Sequence, residues 1–364
     1  MSVRLIIAGG GTGGHIFPAV AIANAMKALM PDCEILFIGA LGKMEMEKVP
    51  QAGYKIEGLD IMGFNRSSYL KNIALPYKLV KSFFQVRKIF REFKPDAALG
   101  VGGYSSFPVL RYAQRQGIPT FIHESNAFAG KANQMLGKRA ERVFVATTGM
   151  EKFFPSDRII VSGNPVRSAI ADMSVTREEG ITFFGLDPAK KTVLSIGGSL
   201  GAKSINEALE AGLNKFREKD LQLIWQTGKP FISRAREAAG KQSNVFVSDF
   251  ITKMEYAFAA ADLVISRAGA MAIAELCIVA KPAVLVPYPF AAEDHQTANA
   301  LALVNAKAAV MIQDDRAQAN LLNAILKLTE DEEQQEQLRQ NIHRLAFRNA
   351  DQRVAAEIIK TLEN

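Results

Sequence analysis

Cysteine is nearly missing from this chain. Cys33 and Cys277 are the only two, far apart and in no C-x-x-C pair, so they read as buried apolar thiols in a reducing compartment. Long apolar runs are missing as well. No stretch approaches the roughly 18 uninterrupted apolar residues of a spanning helix. The first apolar run covers five residues and ends in glycines, unlike a signal peptide. The expectation is a cytoplasmic protein whose membrane contact is at most peripheral. Nothing resembles a finger, a basic zipper arm or an aromatic RNA-binding signature, so nucleic acid is not an expected partner. No D-x-D and no His/Asp cluster stands out, so no tightly bound metal and no cofactor is expected. No loop is of low complexity.

What is present points to phosphate. The formal charge of +7 over 364 residues favours anionic partners such as phosphates, nucleotides or an acidic membrane surface. The length suits two domains, and 48% apolar residues supply two cores. A β-type run at 3–7 leads into Ala8-Gly9-Gly10-Gly11-Thr12-Gly13-Gly14-His15, and a helix-like run follows at 18–26. Strand, glycine turn and helix N-terminus in that order let backbone N–H groups meet an anion with no Cβ in the way. Gly9, Gly11 and Gly14 fit G-x-G-x-x-G, but the dinucleotide fingerprint also needs an acid at the end of the second strand. Here that strand ends Ile38-Gly39-Ala40, and Asp32 and Glu34 lie at its start. A dehydrogenase is therefore disfavoured.

Further apolar runs at 97–101, 119–122 and 142–146 read as parallel strands. The first ends in Gly102-Gly103-Tyr104-Ser105 and the second in His123-Glu124-Ser125-Asn126. Singly, each polar residue reads as a turn or a cap. Together with His15 they follow three separate strands, and functional groups in open α/β sheets collect past strand carboxyl ends. Gly163-Asn164-Pro165 punctuates the chain and marks a domain boundary. The pattern then repeats: a strand at 191–196, the loop Gly197-Gly198-Ser199-Leu200-Gly201-Ala202 and a helix start at 203. Residues 261–270 echo 95–103. The expected fold is α/β, with two doubly wound parallel-sheet domains facing across a deep cleft between two phosphate-friendly loops. Glu275, one turn into a helix, suits ribose hydroxyls or the helix dipole.

Residues 60–94 are basic and amphipathic. Leu75, Leu79, Phe83 and Phe84 are interleaved with Lys78 and Lys81, and Glu92 is the only acid between Arg66 and Lys94. Such a segment lies on an anionic membrane or is an ordinary core-packed helix, and the spacing of Leu79, Phe83, Val86 and Phe90 favours the second.

The ordered set Gly10–Pro18 loop, Gly102-Gly103-Tyr104, His123-Glu124-Ser125-Asn126, Gly163-Asn164-Pro165-Val166-Arg167, the 197–202 loop and 270–275 spans nearly the whole chain. It closely resembles the MurG family of bacterial cell-wall glycosyltransferases. The resemblance implies a GT-B fold of two Rossmann-like domains. The first would cover 1–164, with the last helix, about 344–364, packed back on it, and the second 165–343. It implies inverting transfer of N-acetylglucosamine from UDP-GlcNAc to the 4-hydroxyl of lipid-linked N-acetylmuramyl-pentapeptide (lipid I), giving lipid II. The site would be the cytoplasmic face of the bacterial inner membrane, with 66–94 as the docking region. Other cell-wall synthesis proteins are further partners it allows.

By the same resemblance Ser199 and its loop face the donor diphosphate, with Arg167 assisting. Ile251 holds the uracil through its backbone and Glu275 the ribose. Gln296, with Ala270, Met271 and Asn126, reads the sugar. Thr12, Gly13 and Gly14 reach donor sugar and acceptor diphosphate, and Gly11, Tyr104 and Ser105 complete the acceptor loops. Ser125 stands where relatives often carry Gln, and the loop before Gln296 varies among them. An inverting displacement needs a base for the attacking hydroxyl and stabilisation of departing UDP. His15 is the base candidate, or it only positions acceptor phosphate; Glu124 and His123 follow. Two rivals share the architecture. A UDP-GlcNAc 2-epimerase would be expected to use a carboxylate-rich site, and this chain has few acids on those loops. A non-catalytic nucleotide-sugar-binding subunit would not need His15, Glu124 and Glu275 intact.

Overall fold

Short runs rich in Val, Ile, Leu and Ala form the strands, and both faces of most are covered, which is what parallel sheets require. The structure, a computed structural model, describes residues 3–63, 73–198 and 200–363. Two sheets are present and every strand pairing is parallel. The first contains β1 (Arg4–Ala8), β2 (Glu34–Ala40), β3 (Lys55–Leu59), β4 (Ala97–Gly100), β5 (Thr120–Glu124), β6 (Arg142–Val145) and β7 (Ile159–Val161), in the order β3-β2-β1-β4-β5-β6-β7. The second contains β8 (Thr192–Ile196), β9 (Gln222–Gln226), β10 (Val245–Ser248), β11 (Leu263–Ser266), β12 (Ala283–Leu285) and β13 (Val310–Met311), in the order β10-β9-β8-β11-β12-β13.

Both sheets grow outward from their first strand in one direction and then restart on its other side. The reversal falls between β1 and β4 in the first and between β8 and β11 in the second. Ligands of open α/β sheets bind at such switch points, past the strand carboxyl ends. The glycine loops after β1, β4 and β8 stand there.

The chain divides into two compact units, Met1–Val166 with Asn349–Asn364, and Arg167–Arg348. The last helix, Ala350–Glu363, belongs to the first. It lies on the opening helix, Gly13–Leu29, and buries Val354, Ala355 and Ile358 in the same core as Ile16, Ile22 and Met26. Arg142 on β6 ion-pairs with its Glu357.

Two local boundaries differ from the sequence expectation. The opening helix starts at Gly13, not near Pro18. Gly13 and Gly14 are poor helix formers, yet the helix begins with them, behind an extended Thr12, and Pro18 sits inside it. Strand β5 runs to Glu124, so His123 and Glu124 lie in the sheet and are buried.

Ile358→Ala removes a fully buried side chain from the first core and is expected to cost about 2–5 kcal/mol. In urea, the far-UV circular dichroism transition should move to lower concentration. Fluorescence of the single tryptophan, Trp225, reports the second unit's core, and its midpoint should stay in place.

Candidate active site

At the first switch point backbone lies directly on backbone. Gly10 N–H donates to Gly102 O (3.2 Å), and a Cβ built on Gly103 would sit 2.5 Å from Gly10 O. Ser106 Oγ lies between both loops, its one O–H within reach of Ala8 O (2.7 Å) and Gly102 O (2.9 Å). The helix that opens at Gly13 has no side-chain cap and no acid in its first turn, so its leading amides and positive dipole end are left for an anion.

His15 stands at that helix start, half-buried. Its Nδ1 is 3.0 Å from Gly10 O. A carbonyl only accepts, so Nδ1 carries the proton and Nε2 carries the lone pair. The ring rests against Gly102, where a Cβ would come within 2.8 Å of Nε2. His15 is thus held in the tautomer a general base needs.

The other two base candidates fare differently. Burial pushes the His123 imidazole down to about 4. Its Nε2–H donates to Gly163 O (3.3 Å) and its Nδ1 accepts from Ser125 Oγ (3.4 Å), so it is a neutral structural cross-link. Glu124 is 4% exposed. Its Oε1 accepts from Asn126 N and Nδ2, and its Oε2 from Gly130 N and Asn133 Nδ2. Four donors fill the four lone-pair directions of a carboxylate. Glu124 organises the turn after β5, and both its oxygens are engaged within that turn.

Two members of the expected acceptor loop also change. Gly11 N–H is already donated to Glu45 Oε2 (2.8 Å), so Gly11 does not offer it to phosphate. Ser105 is 1% exposed and faces inward. Tyr104 stays half-exposed, its ring over Gly63.

At the second switch point Gly198 (φ 79°) and Gly201 (φ 77°) bend the loop after β8. A Cβ on Gly201 would lie 1.9 Å from Thr227 O, so only glycine lets this loop rest on the backbone after β9. The helices behind, Lys203–Glu218 and Ala270–Val279, again have no side-chain cap and no acid in the first turn. Ser199 lies outside the described residues. Ile251 donates its N–H to Gln226 Oε1 (3.0 Å), and Gln226 Nε2 donates to Gly198 O (3.2 Å). What Ile251 still offers a base is its carbonyl. Gln226, 4% exposed, was not foreseen; it ends a strand as an ordinary polar residue, and only the fold reveals that it bridges two loops.

Glu275 is 7% exposed, and Arg167 Nε and a terminal nitrogen both reach its Oε1 at 2.8 Å. Burial pushes the Glu275 carboxyl above its ordinary range, against the pull of Arg167. Its Oε2 has no partner among the described residues. Ala270 and Met271 lie half-buried at the start of the same helix. Gln296 spends its Oε1 on Tyr288 N–H (3.0 Å) and keeps its amide donor.

The basic segment is a helix, Leu75–Phe93, with residues 64–72 outside the described residues. Val86, Ile89 and Phe90 are buried. Leu75, Leu79 and Phe83 are half-buried, so they are not the outward face. The outward apolar row is Ile73, Tyr77, Val80 and Phe84, each more than half exposed. Lys78 and Lys81 both ion-pair with Asp60. Of the six membrane contacts expected, Phe84 alone is plainly exposed and free of a local ion pair.

Residues 5–145 match the family model described as the glycosyltransferase family 28 N-terminal domain, and residues 192–354 match its C-terminal domain. A relative from Parabacteroides distasonis, named UDP-N-acetylglucosamine–N-acetylmuramyl-(pentapeptide) pyrophosphoryl-undecaprenol N-acetylglucosamine transferase, is 52% identical over 99% of this chain and 98% of its own. The chain belongs to glycosyltransferase family 28, in its MurG branch. Within that branch the Acinetobacter baumannii MurG crystal structure is 29% identical, with a TM-score of 0.80 over 98% of this chain and 99% of that one. A UDP-N-acetylglucosamine 2-epimerase structure shares the fold at 15% identity and a TM-score of 0.65, covering 99% and 97%. Family 28 members therefore share their architecture with an isomerase, and fold alone does not separate them.

Glu124→Ala leaves Gly130 N–H, Asn126 N–H and the Asn133 amide without their acceptor. Hydrogen exchange at residues 126–133 is expected to rise by at least tenfold, about the loss of one to two hydrogen bonds. Unchanged protection would show that another group holds the turn.

Proposed function

We propose that this chain is an inverting hexosyltransferase of peptidoglycan synthesis. It moves N-acetylglucosamine from UDP-GlcNAc to the 4-hydroxyl of undecaprenyl-linked N-acetylmuramyl-pentapeptide, lipid I, and yields lipid II. Identity of 52% to a transferase of that name supports the substrates. The observation that carries the chemistry is His15, whose Nδ1–H is committed to Gly10 O while Nε2 keeps its lone pair.

In this reading Nε2 takes the proton of the acceptor hydroxyl as its oxygen attacks the anomeric carbon from the face opposite UDP, so configuration inverts. The departing diphosphate gains negative charge. The 197–202 loop, the helix N-terminus at Lys203 and Arg167 stabilise it, so the step uses no tightly bound metal and no cofactor. Glu275 accepts from ribose hydroxyls through its unpartnered Oε2 while Oε1 keeps Arg167. The Ile251 carbonyl accepts from uracil, and Gln296 reads the sugar with Ala270, Met271 and Asn126. Thr12, Gly13 and Gly14 hold acceptor phosphate at the uncapped helix start.

The acceptor's lipid tail fits a peripheral position on the cytoplasmic face of the inner membrane. No helix among the described residues is long and apolar enough to cross a membrane. Ile73, Tyr77, Val80 and Phe84 form one exposed apolar row at helical spacing, and exposed Arg87, Lys88 and Arg91 continue the same helix.

UDP release from UDP-GlcNAc, measured with and without a lipid I analogue, tests the reaction. Acceptor-dependent release with a new disaccharide-lipid is expected, and His15→Ala should cut kcat by about 100-fold or more with donor affinity kept. N-acetylmannosamine formed without acceptor would replace this reading with epimerisation. Binding without turnover would replace it with a nucleotide-sugar-binding subunit.

The docking surface has its own test. Replacing Tyr77, Val80 and Phe84 with Ser should release the protein from vesicles containing anionic lipid while leaving its circular dichroism unchanged. Sedimentation equal to wild type would remove this helix from the membrane contact.

A further inference from the structure

One buried carboxylate beside the first glycine loop has no place in the scheme above. Glu45 opens the short helix Glu45–Gln51 and is 1% exposed. Its Oε1 accepts from Ala40 N (3.0 Å), at the end of β2, and its Oε2 from Gly11 N (2.8 Å). Two glycines make room for it. A Cβ on Gly10 would lie 2.2 Å from its Cδ, and one on Gly39 would lie 2.5 Å from its Cγ. Part of the glycine richness at 9–11 therefore serves this side chain rather than a phosphate.

The peptide unit that Glu45 holds is the one that holds His15. The N–H of the Gly10–Gly11 peptide is Gly11 N–H, which donates to Glu45. Its carbonyl is Gly10 O, which accepts from His15 Nδ1 (3.0 Å). Carboxylate, peptide and imidazole form one chain of hydrogen bonds polarised in the same sense. A carboxylate drawing on the N–H makes the carbonyl at the other end a stronger acceptor. The peptide's orientation is fixed from the other side by Gly10 N–H on Gly102 O and by the close approach of Gly103.

We infer that Glu45 is a positioning residue for His15: through the Gly10–Gly11 peptide it locks the imidazole as the Nδ1–H tautomer and makes Nε2 a better base. The inference rests on the reading of His15 as the base. It assigns Glu45 the part that an orienting carboxylate plays beside a catalytic histidine, with a peptide bond placed between the two. The same anion keeps phosphate away from Gly11 and toward the uncapped amides of Gly13 and Gly14.

Glu45→Gln in the full chain tests this. The amide keeps one acceptor oxygen but turns a donor toward one of the two N–H groups. The expected result is a loss in kcat of about tenfold, the lower end for outer partners of working histidines, with KM for UDP-GlcNAc unchanged. In protein labelled with 15N-histidine, which has four histidines to resolve, the His15 ring should pass from the Nδ1–H pattern to a mixture of tautomers. In a His15→Ala background the same substitution should have no further effect on kcat. An unchanged ring spectrum, or an equal loss of kcat without His15, would overturn the inference. Glu45→Asp keeps the charge but reaches only one donor, and the ring spectrum reads it in the same way if the Gln variant does not fold. Should His15→Ala retain wild-type kcat, the base assignment fails, and the ring spectrum still decides whether Glu45 sets the tautomer.

Discussion

Backbone resting on backbone beside the first strand of each sheet is the constraint from which the rest of each unit follows. Gly10 meets Gly102 and Gly103 in the first unit, and Gly201 meets Thr227 and Gly228 in the second. A single Cβ at these contacts would overlap main-chain atoms. Adjacent loops can approach so closely only because the strands beneath them are parallel neighbours in the sheet, β1 beside β4 and β8 beside β9. The loops in turn fix where the helices start, and the helix starts fix where an anion can be held.

In each unit a buried side chain also bridges two loops, and the two differ in charge. In the first it is Glu45, between Gly11 and Ala40; in the second it is Gln226, between Gly198 and Ile251. The difference in charge fits the neighbours. A carboxylate linked to His15 through one peptide suits a group proposed to take up a proton. A carboxylate in place of Gln226 would put a negative charge under the loop proposed to face diphosphate, at a cost that grows as the dielectric falls. A neutral amide can also both donate to Gly198 O and accept from Ile251 N–H, which an ionised acid cannot do.

Most of the fold was legible because apolar runs of strand length alternated with helical patterns and glycine loops marked the strand ends. The repeat of the 95–103 pattern at 261–270 showed that the chain contains two such units. The loops carrying the site were legible for the same reason. What sequence could not give was burial and direction. His123 and Glu124 read as a polar cluster past a strand, yet β5 extends through both and their lone pairs are used internally. Lys78 and Lys81 read as membrane-facing until Asp60, about twenty residues earlier in the chain, paired with both. Glu45 and Gln226 carried no local signal at all, since each acts on loops that only the sheet brings to it.

Some helix starts in this chain are closed by a side chain and others are left open. The chain can cap a helix well: Thr176 and Glu179 form a reciprocal capping box, and Asp331 accepts from Gln334 N–H. The helices starting at Gly13, Lys203 and Ala270 have neither a side-chain cap nor a first-turn acid, although a Ser, Thr or Asp at each N-cap would contribute about 1 kcal/mol. Thr12 already stands at one of them and its hydroxyl makes no cap bond. Uncapped starts without a first-turn acid also occur at Lys131, Ile232 and Ala317; those at Gly13, Lys203 and Ala270 differ in standing beside the two switch points, where a negatively charged ligand would supply the missing acceptor. The first unit carries this furthest. There the carboxylate of Glu45 is held by the N–H groups of Gly11 and Ala40 rather than by the amides of Gly13 and Gly14.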